Sequence, residues 1–143
     1  MPGDASAVAT AAGKQLARVP VGVRWGDLDA FNHVNNARFL DLVQEARLVW
    51  LAGLDGEWMS ETFKPVLAAT QMNYRRQLGW PADIVVELGV QRLGNSSLTI
   101  AHRIVAKDDD ALLYADGHVV LVWIDPASGR SLPLPSAVRR ACR

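Results

Sequence analysis

The rhythm of apolar and polar positions changes twice along this chain. From Val19 to Trp25, β-branched residues alternate with others at the period of two that a strand requires, so a first strand is expected over residues 17–25. From Ala37 to Ala52 there is no Gly or Pro. Phe39, Val43, Ala46 and Trp50 recur there at helical spacing, with Leu42 and Val49 beside them. Leu40, Leu48 and Leu51 fall on the other side. A helix over about 36 to 52, apolar around most of its circumference, is expected to be enclosed rather than laid on a surface. A curved sheet wrapped around it would enclose it. Gly53 suits the position just past the helix end, and residues 55–63 read as a connector. From Pro65 the period returns to two. Strands are expected over 65–78, 84–93, 97–106 and 111–124, separated by turns at 79–83, 94–95 and 108–110. The segment 111–124 is the most hydrophobic strand and is expected at the centre of the sheet. Residues 125–129 close it, and 133–143 suit a short terminal helix beginning near Ser136. A strand, a long helix and four further strands make an α+β pattern with an antiparallel sheet. There is no internal repeat and no linker, so residues 17–143 read as one domain and residues 1–16 as a flexible tail.

Composition narrows the functions open to such a domain. The chain has 143 residues, enough to bury its own core. Its 15 Lys and Arg balance 15 Asp and Glu, so it lacks the basic excess that nucleic-acid binding needs. No apolar run approaches the ~18 residues of a membrane span. The Ala/Gly-rich start lacks the basic and apolar regions of a signal peptide. Cys142 is the single cysteine and has no internal disulfide partner; a reducing cytoplasm is the expected setting. Near-zero net charge offers little resistance to self-association. The chain carries no Gly-x-Ser-x-Gly elbow, phosphate loop or dinucleotide fingerprint. His33, His102 and His118 are far apart and there is no Cys pair, so no metal is expected.

The chemistry concentrates between the first strand and the helix. Residues 27–36 hold two carboxylates, an imidazole and three carboxamides. Asn35 and Asn36 are both good N-cap residues. A helix start presents free backbone N–H groups and a partial positive charge, and Asp29 lies just upstream of it. The same residues also suit a plain Asp/Asn turn in which Asp27 or Asn35 does no more than cap.

The run Asp-Leu-Asp-Ala-Phe-Asn-His-Val-Asn-Asn-Ala-Arg-Phe-Leu (27–40), with Glu45-Ala46-Arg47 on the helix, closely resembles the signature of the 4-hydroxybenzoyl-CoA thioesterase-like family of hotdog-fold proteins. The resemblance implies a hotdog fold, with an antiparallel sheet of about five strands wrapped around the central helix. It implies hydrolysis of an acyl-CoA or acyl carrier protein thioester. Asp29 is then the catalytic carboxylate, as general base or nucleophile, and Asp27 is structural. The backbone N–H of Asn36 holds the developing oxyanion, and His33 and Asn35 position the reactants. Asn32 stands where many relatives have Gly; if φ is positive there, Asn tolerates it best among other residues. Glu45 is a rival carboxylate; with Arg38 and Asp41 on the same face and Arg47 near in sequence, its other reading is an ion pair on the helix surface or at a subunit interface. Arg75, Arg76, Arg92, Ser96, Ser97 and Arg103 match the coenzyme groove of relatives, which often carry more basic residues around 94–97; that departure keeps acyl carrier protein open as the carrier. Trp25, Phe31, Trp58, Phe63 and the start of the Pro65 strand match the acyl pocket. Coenzyme A is part of the substrate, and no cofactor is implied. Relatives join two sheets into a dimer whose partner chain completes the site, so a homodimer or homotetramer is expected. Two other functions fit the same fold: a non-catalytic acyl-thioester-binding module, and a hydratase or dehydratase.

Overall fold

The structure, a computed structural model, describes residues 13–143. Most of the expected tail therefore lies outside the described residues. Strand β1 is Gln15–Gly22, helix α1 is Asn36–Ala52, and β2 is Lys64–Tyr74. Strands β3 (Asp83–Leu93), β4 (Ser97–Ala106) and β5 (Asp109–Ile124) follow, and helix α2 is Ser136–Cys142. The five strands form one antiparallel sheet in the order β1-β3-β4-β5-β2. This is the α+β hotdog architecture, with α1 packed against β1 and β3.

The first strand ends earlier than its alternation predicts. Trp25–Asp27 forms a single 3-10 turn instead, because the Asp27 carboxylate accepts the Arg24 N–H at 2.8 Å and pulls the chain out of extension. The strand also begins at Gln15, two residues before the expected boundary. The central strand is β4 rather than β5. Hydrophobicity reports how completely a strand is covered; its place in the sheet is set by pairing, and β5 pairs with β4 on one side and β2 on the other.

Helix α1 buries Phe39, Leu42, Val43, Ala46, Trp50 and Leu51 against a core that includes Val21, Ile84, Val86, Leu88, Ile100 and Ile104. Leu51 thus belongs to the core face, while Val49 is exposed. Leu40 and Leu48 are exposed as well, so the enclosure expected from the sequence is one-sided in the protomer. Helical spacing fixes where residues lie around the axis; the overlying strands decide how wide an arc is covered. On the sheet, β2 pairs only with β5, which leaves its other edge free, and Leu67 and Tyr74 stay exposed along it.

Two buried polar groups stand out in this core. Arg47 sits on the buried face of α1, 8% exposed, without a hydrogen bond or ion pair to any described residue; burial lowers its pKa. His102 on β4 is 1% exposed, and neither ring nitrogen has a hydrogen-bond partner among the described residues. Burial, together with the charges of His118 and Arg47, pushes the imidazole down to about 4. The nearby Gln71 carbonyl favours its protonated form only weakly, without hydrogen-bond geometry. Opposite His102, Gly117 lets the strands close up, since a Cβ there would collide with the Gln71 carbonyl.

Candidate active site

The loop between β1 and α1 is fastened at both ends. Asp27, 2% exposed, accepts from the Arg24 backbone N–H and from its guanidinium, with Nη2 at 3.0 Å. Burial alone would raise its carboxyl, but the Arg24 side-chain and backbone hydrogen bonds outweigh burial and hold it below its usual value. The Asp27 carbonyl in turn accepts the Asn35 N–H at 2.8 Å. Val34 donates to the Leu78 carbonyl, tying the loop to the chain that leaves β2. Asn32 has φ 62°, the left-handed conformation in which a carboxamide residue is best tolerated after Gly.

At the helix start the cap falls on Asn35, whose Oδ1 accepts the Ala37 N–H at 3.0 Å. The Arg38 N–H goes to the Asn35 carbonyl. The Asn36 N–H, first in the helix, is left without a partner among the described residues. Asp29 lies beside it in the loop. Its Oδ1 accepts the backbone N–H groups of Phe31 (2.8 Å) and His33 (3.2 Å), so the carboxylate folds back on its own turn. Its Oδ2 has no partner among the described residues.

Asp29, Phe31, His33, Asn36, Arg75 and Arg76 line one cavity of about 710 Å³. Tyr74 at the end of β2 and Gln77 and Leu78 in the chain that leaves it also line the cavity, as do Val34 and Phe39. Tyr74 donates its hydroxyl to the Asn36 carbonyl at 3.0 Å and stands edge-on to Phe39, ring centres 5.2 Å apart. The two arginines differ. Arg75 is held by Asp116, 4% exposed, through contacts of 3.2 Å from both Nε and Nη2. Arg76 has no side-chain ion pair among the described residues.

Trp25 is in a separate cavity of about 550 Å³, with Leu28, Asp29, Ala30, Asn32 and Trp80. Trp58, Phe63, Arg92, Ser96 and Ser97 are not brought to Asp29 within the protomer. Lys64 pairs with Ile124 and Tyr74 with Ala115, so the start of β2 is at the sheet end away from the cavity. Trp58 accepts Trp123 Nε1 at 2.7 Å, and Ser96 accepts the Trp123 N–H at 3.0 Å, at that same end. An 11-residue strand such as β3 spans ~35 Å, far beyond side-chain reach. Arg103 is also outside the cavity; it is buried and bonded to Glu87 at 2.8 Å. The ion pair on the helix face is Arg38–Asp41 at 3.0 Å; Glu45 has none among the described residues. Among the described residues no group of three or more His, Cys, Asp or Glu could hold a metal ion, and no helix is long and apolar enough to cross a membrane.

Tyr74, Asp116 and Trp80 join the site without having been singled out by sequence. Tyr74 and Asp116 read as ordinary strand residues, and Trp80 as part of a Trp-Pro turn. Pairing of β2 with β5 is what makes Arg75 and Asp116 neighbours.

Residues 23–142 match the family described as the thioesterase-like superfamily. The long-chain acyl-CoA thioesterase FadM of Escherichia coli is 29% identical over 121 residues, covering 83% of this chain and 91% of that protein. A proposed acyl-CoA thioesterase from Xanthomonas campestris, solved as a structure, is 54% identical with a TM-score of 0.74, covering 79% of this chain and 96% of its own. A Thermus thermophilus thioesterase solved with coenzyme A and zinc is 35% identical, with a TM-score of 0.75 and coverage of 91% and 93%.

Proposed function

The chain belongs to the thioesterase-like superfamily, and from that membership we propose that it is an acyl-CoA thioesterase whose catalytic carboxylate is Asp29. The observation that carries this reading is that Asp29 and Asn36, whose N–H is unpaired among the described residues, line one cavity. Attack at a thioester carbonyl moves charge onto oxygen, and a preorganised backbone donor aimed at that oxygen is typically worth ~2.7–4 kcal/mol. The helix dipole adds to it. Asp29 Oδ1 is occupied by its own loop, so Oδ2 is the atom available to take a proton from water or to attack the carbonyl itself. Asn35 acts through the cap that fixes the first turn, and His33 from the cavity wall. Arg76 and Arg75 face the phosphate-bearing arm of the coenzyme, which enters as part of the substrate.

The minimum unit we propose is a two-fold dimer joined along the free edge of β2. A strand edge without a partner among the described residues, with exposed Leu67 and Tyr74 along it, invites such pairing. Antiparallel pairing of β2 with its copy lays the Lys64 end of one protomer beside the Tyr74 end of the other. That arrangement would bring Trp58, Phe63, Arg92, Ser96 and Ser97 of the second copy toward the end of the sheet that holds the Asp29 cavity. Light scattering that finds an active monomer at assay concentration refutes the dimer.

The decisive experiment on Asp29 is Asp29→Asn, with thiol release and thermal midpoint measured on the same sample. Loss of a positioned base lowers turnover by ~10²–10⁴. The backbone bonds to Oδ1 support a second reading, in which Asp29 is a loop cap only. A cap role predicts a stability loss of ~1 kcal/mol with turnover per folded molecule intact. That second outcome overturns the assignment and makes Glu45 the next carboxylate to test.

A further inference from the structure

Resting on the thioesterase reading, we propose that Tyr74 is a positioning residue for the reaction: its hydroxyl sets the angle at which the first turn of α1 presents the Asn36 N–H to the substrate carbonyl. Tyr74 is the last residue of β2 and pairs with Ala115. Its ring stands edge-on to the buried Phe39, ring centres 5.2 Å apart and planes at 87°. The hydroxyl donates to the Asn36 carbonyl at 3.0 Å. The residue is 48% exposed, so water could have satisfied that hydroxyl. It is directed instead at the main chain of the helix start, in the wall of the cavity that Asp29 and Asn36 line.

Two peptide units meet at the Asn36 Cα. The first, Asn35–Asn36, bears the proposed donor N–H, and its carbonyl accepts the Arg38 N–H at 2.8 Å. The second, Asn36–Ala37, is a planar trans unit whose carbonyl and N–H point in opposite directions. Its carbonyl takes the Tyr74 hydroxyl, and its N–H donates to Asn35 Oδ1 at 3.0 Å. The Tyr74 O–H, the Asn36–Ala37 peptide and the Asn35 cap therefore form one chain of hydrogen bonds, in which each bond polarises the next. The hydroxyl strengthens the Ala37 N–H as a donor to the cap, and the cap fixes the residue from which the Asn36 N–H projects. Helix ends fray, so the first turn is where such a bond changes orientation most. The Asn36 carbonyl has a second lone pair for the Leu40 N–H, so the helix gives up no bond of its own to Tyr74. A donor needed only when charge develops on the substrate oxygen affects the transition state and leaves ground-state binding alone.

The test begins with Tyr74→Phe, which removes the hydroxyl and keeps the ring on Phe39. Thiol release is measured for the wild type, Tyr74→Phe, Asn35→Ala and the double variant, with the better substrate of benzoyl-coenzyme A and decanoyl-coenzyme A. Circular dichroism and light scattering check fold and assembly, and NMR follows solvent exchange of the Ala37 amide. Tyr74→Phe is expected to lower kcat about five- to tenfold with KM unchanged, and to speed Ala37 exchange. In the Asn35→Ala background the same change costs much less, because both residues act through one chain. A raised KM with kcat intact makes Tyr74 a substrate contact and overturns the proposal. A lower thermal midpoint with kcat and KM intact makes it a tether between β2 and α1 only, which overturns it too. Additive losses in the double variant place its effect outside the cap and do the same. Unchanged Ala37 exchange in Tyr74→Phe refutes the chain whatever the activity. Failure of the thioesterase reading shows separately, as absence of thiol release by the wild type.

Discussion

Acidification should destabilise this protein in a window set by one buried imidazole. His102 is sealed between α1 and the sheet and is held at about 4, while in the unfolded chain it titrates near 6.5. Between those values the unfolded state takes up a proton that the folded state refuses. Stability is therefore full above pH 6.5, falls as pH drops through the window, and levels off below about 4, where the folded state also binds the proton. At ~1.36 kcal/mol per pKa unit, the gap amounts to roughly 3 kcal/mol. For a domain of this size that corresponds to a thermal midpoint lower by about 10 °C. His118, Arg47 and the Gln71 carbonyl are the polar groups coupled to this ring, and positive charge on either side chain opposes its protonation. Asp27 does not act in the same range. Its folded value lies below 3.8, so its contribution is present above that value and is lost only as pH falls further. The assay is urea unfolding at pH 7, 5.5 and 4.5, at fixed protein concentration, for the wild type and His102→Leu. The Leu variant removes the titrating group from an apolar site and should flatten the loss between pH 6.5 and 4. Parallel pH dependences of the two proteins refute the reasoning.

Arg47→Met replaces a buried, unneutralised cation with an apolar side chain of similar length. It should raise unfolding stability by at least ~1 kcal/mol; a lower midpoint instead would mean that a second copy neutralises the guanidinium. Gly117→Ala should push the Gln71 carbonyl away and loosen β2 from β5, costing more than ~2 kcal/mol in urea unfolding, and an unchanged midpoint would contradict the close approach. Chelator treatment should leave thiol release intact, because the proposed chemistry uses only Asp29 and a backbone donor; loss of activity restored by zinc would overturn the metal-free mechanism.

What the sequence determined was local. The strand, loop and helix around Asp29 follow from a period of two, a cluster of Asp and Asn, and a period near 3.6, all within about 35 residues. Asn35 as cap and Asn32 at positive φ are consequences of short-range backbone geometry, and so is the free Asn36 N–H. Asp29 and Asn36 are neighbours because only seven positions separate them. What lies further apart was decided by the sheet. Tyr74 reaches the Asn36 carbonyl, and Asp116 holds Arg75, because β2 pairs with β5 in one particular register. Trp25 and Phe31, six positions apart, line different cavities. Trp58, Phe63, Arg92, Ser96 and Ser97 suit the chemistry as residue types, yet they stand at the opposite end of strands ~35 Å long. Alternation tells which face of a strand a residue occupies. It carries no information about which end of the sheet a given strand begins from, or which neighbour it pairs with; long-range packing settles both.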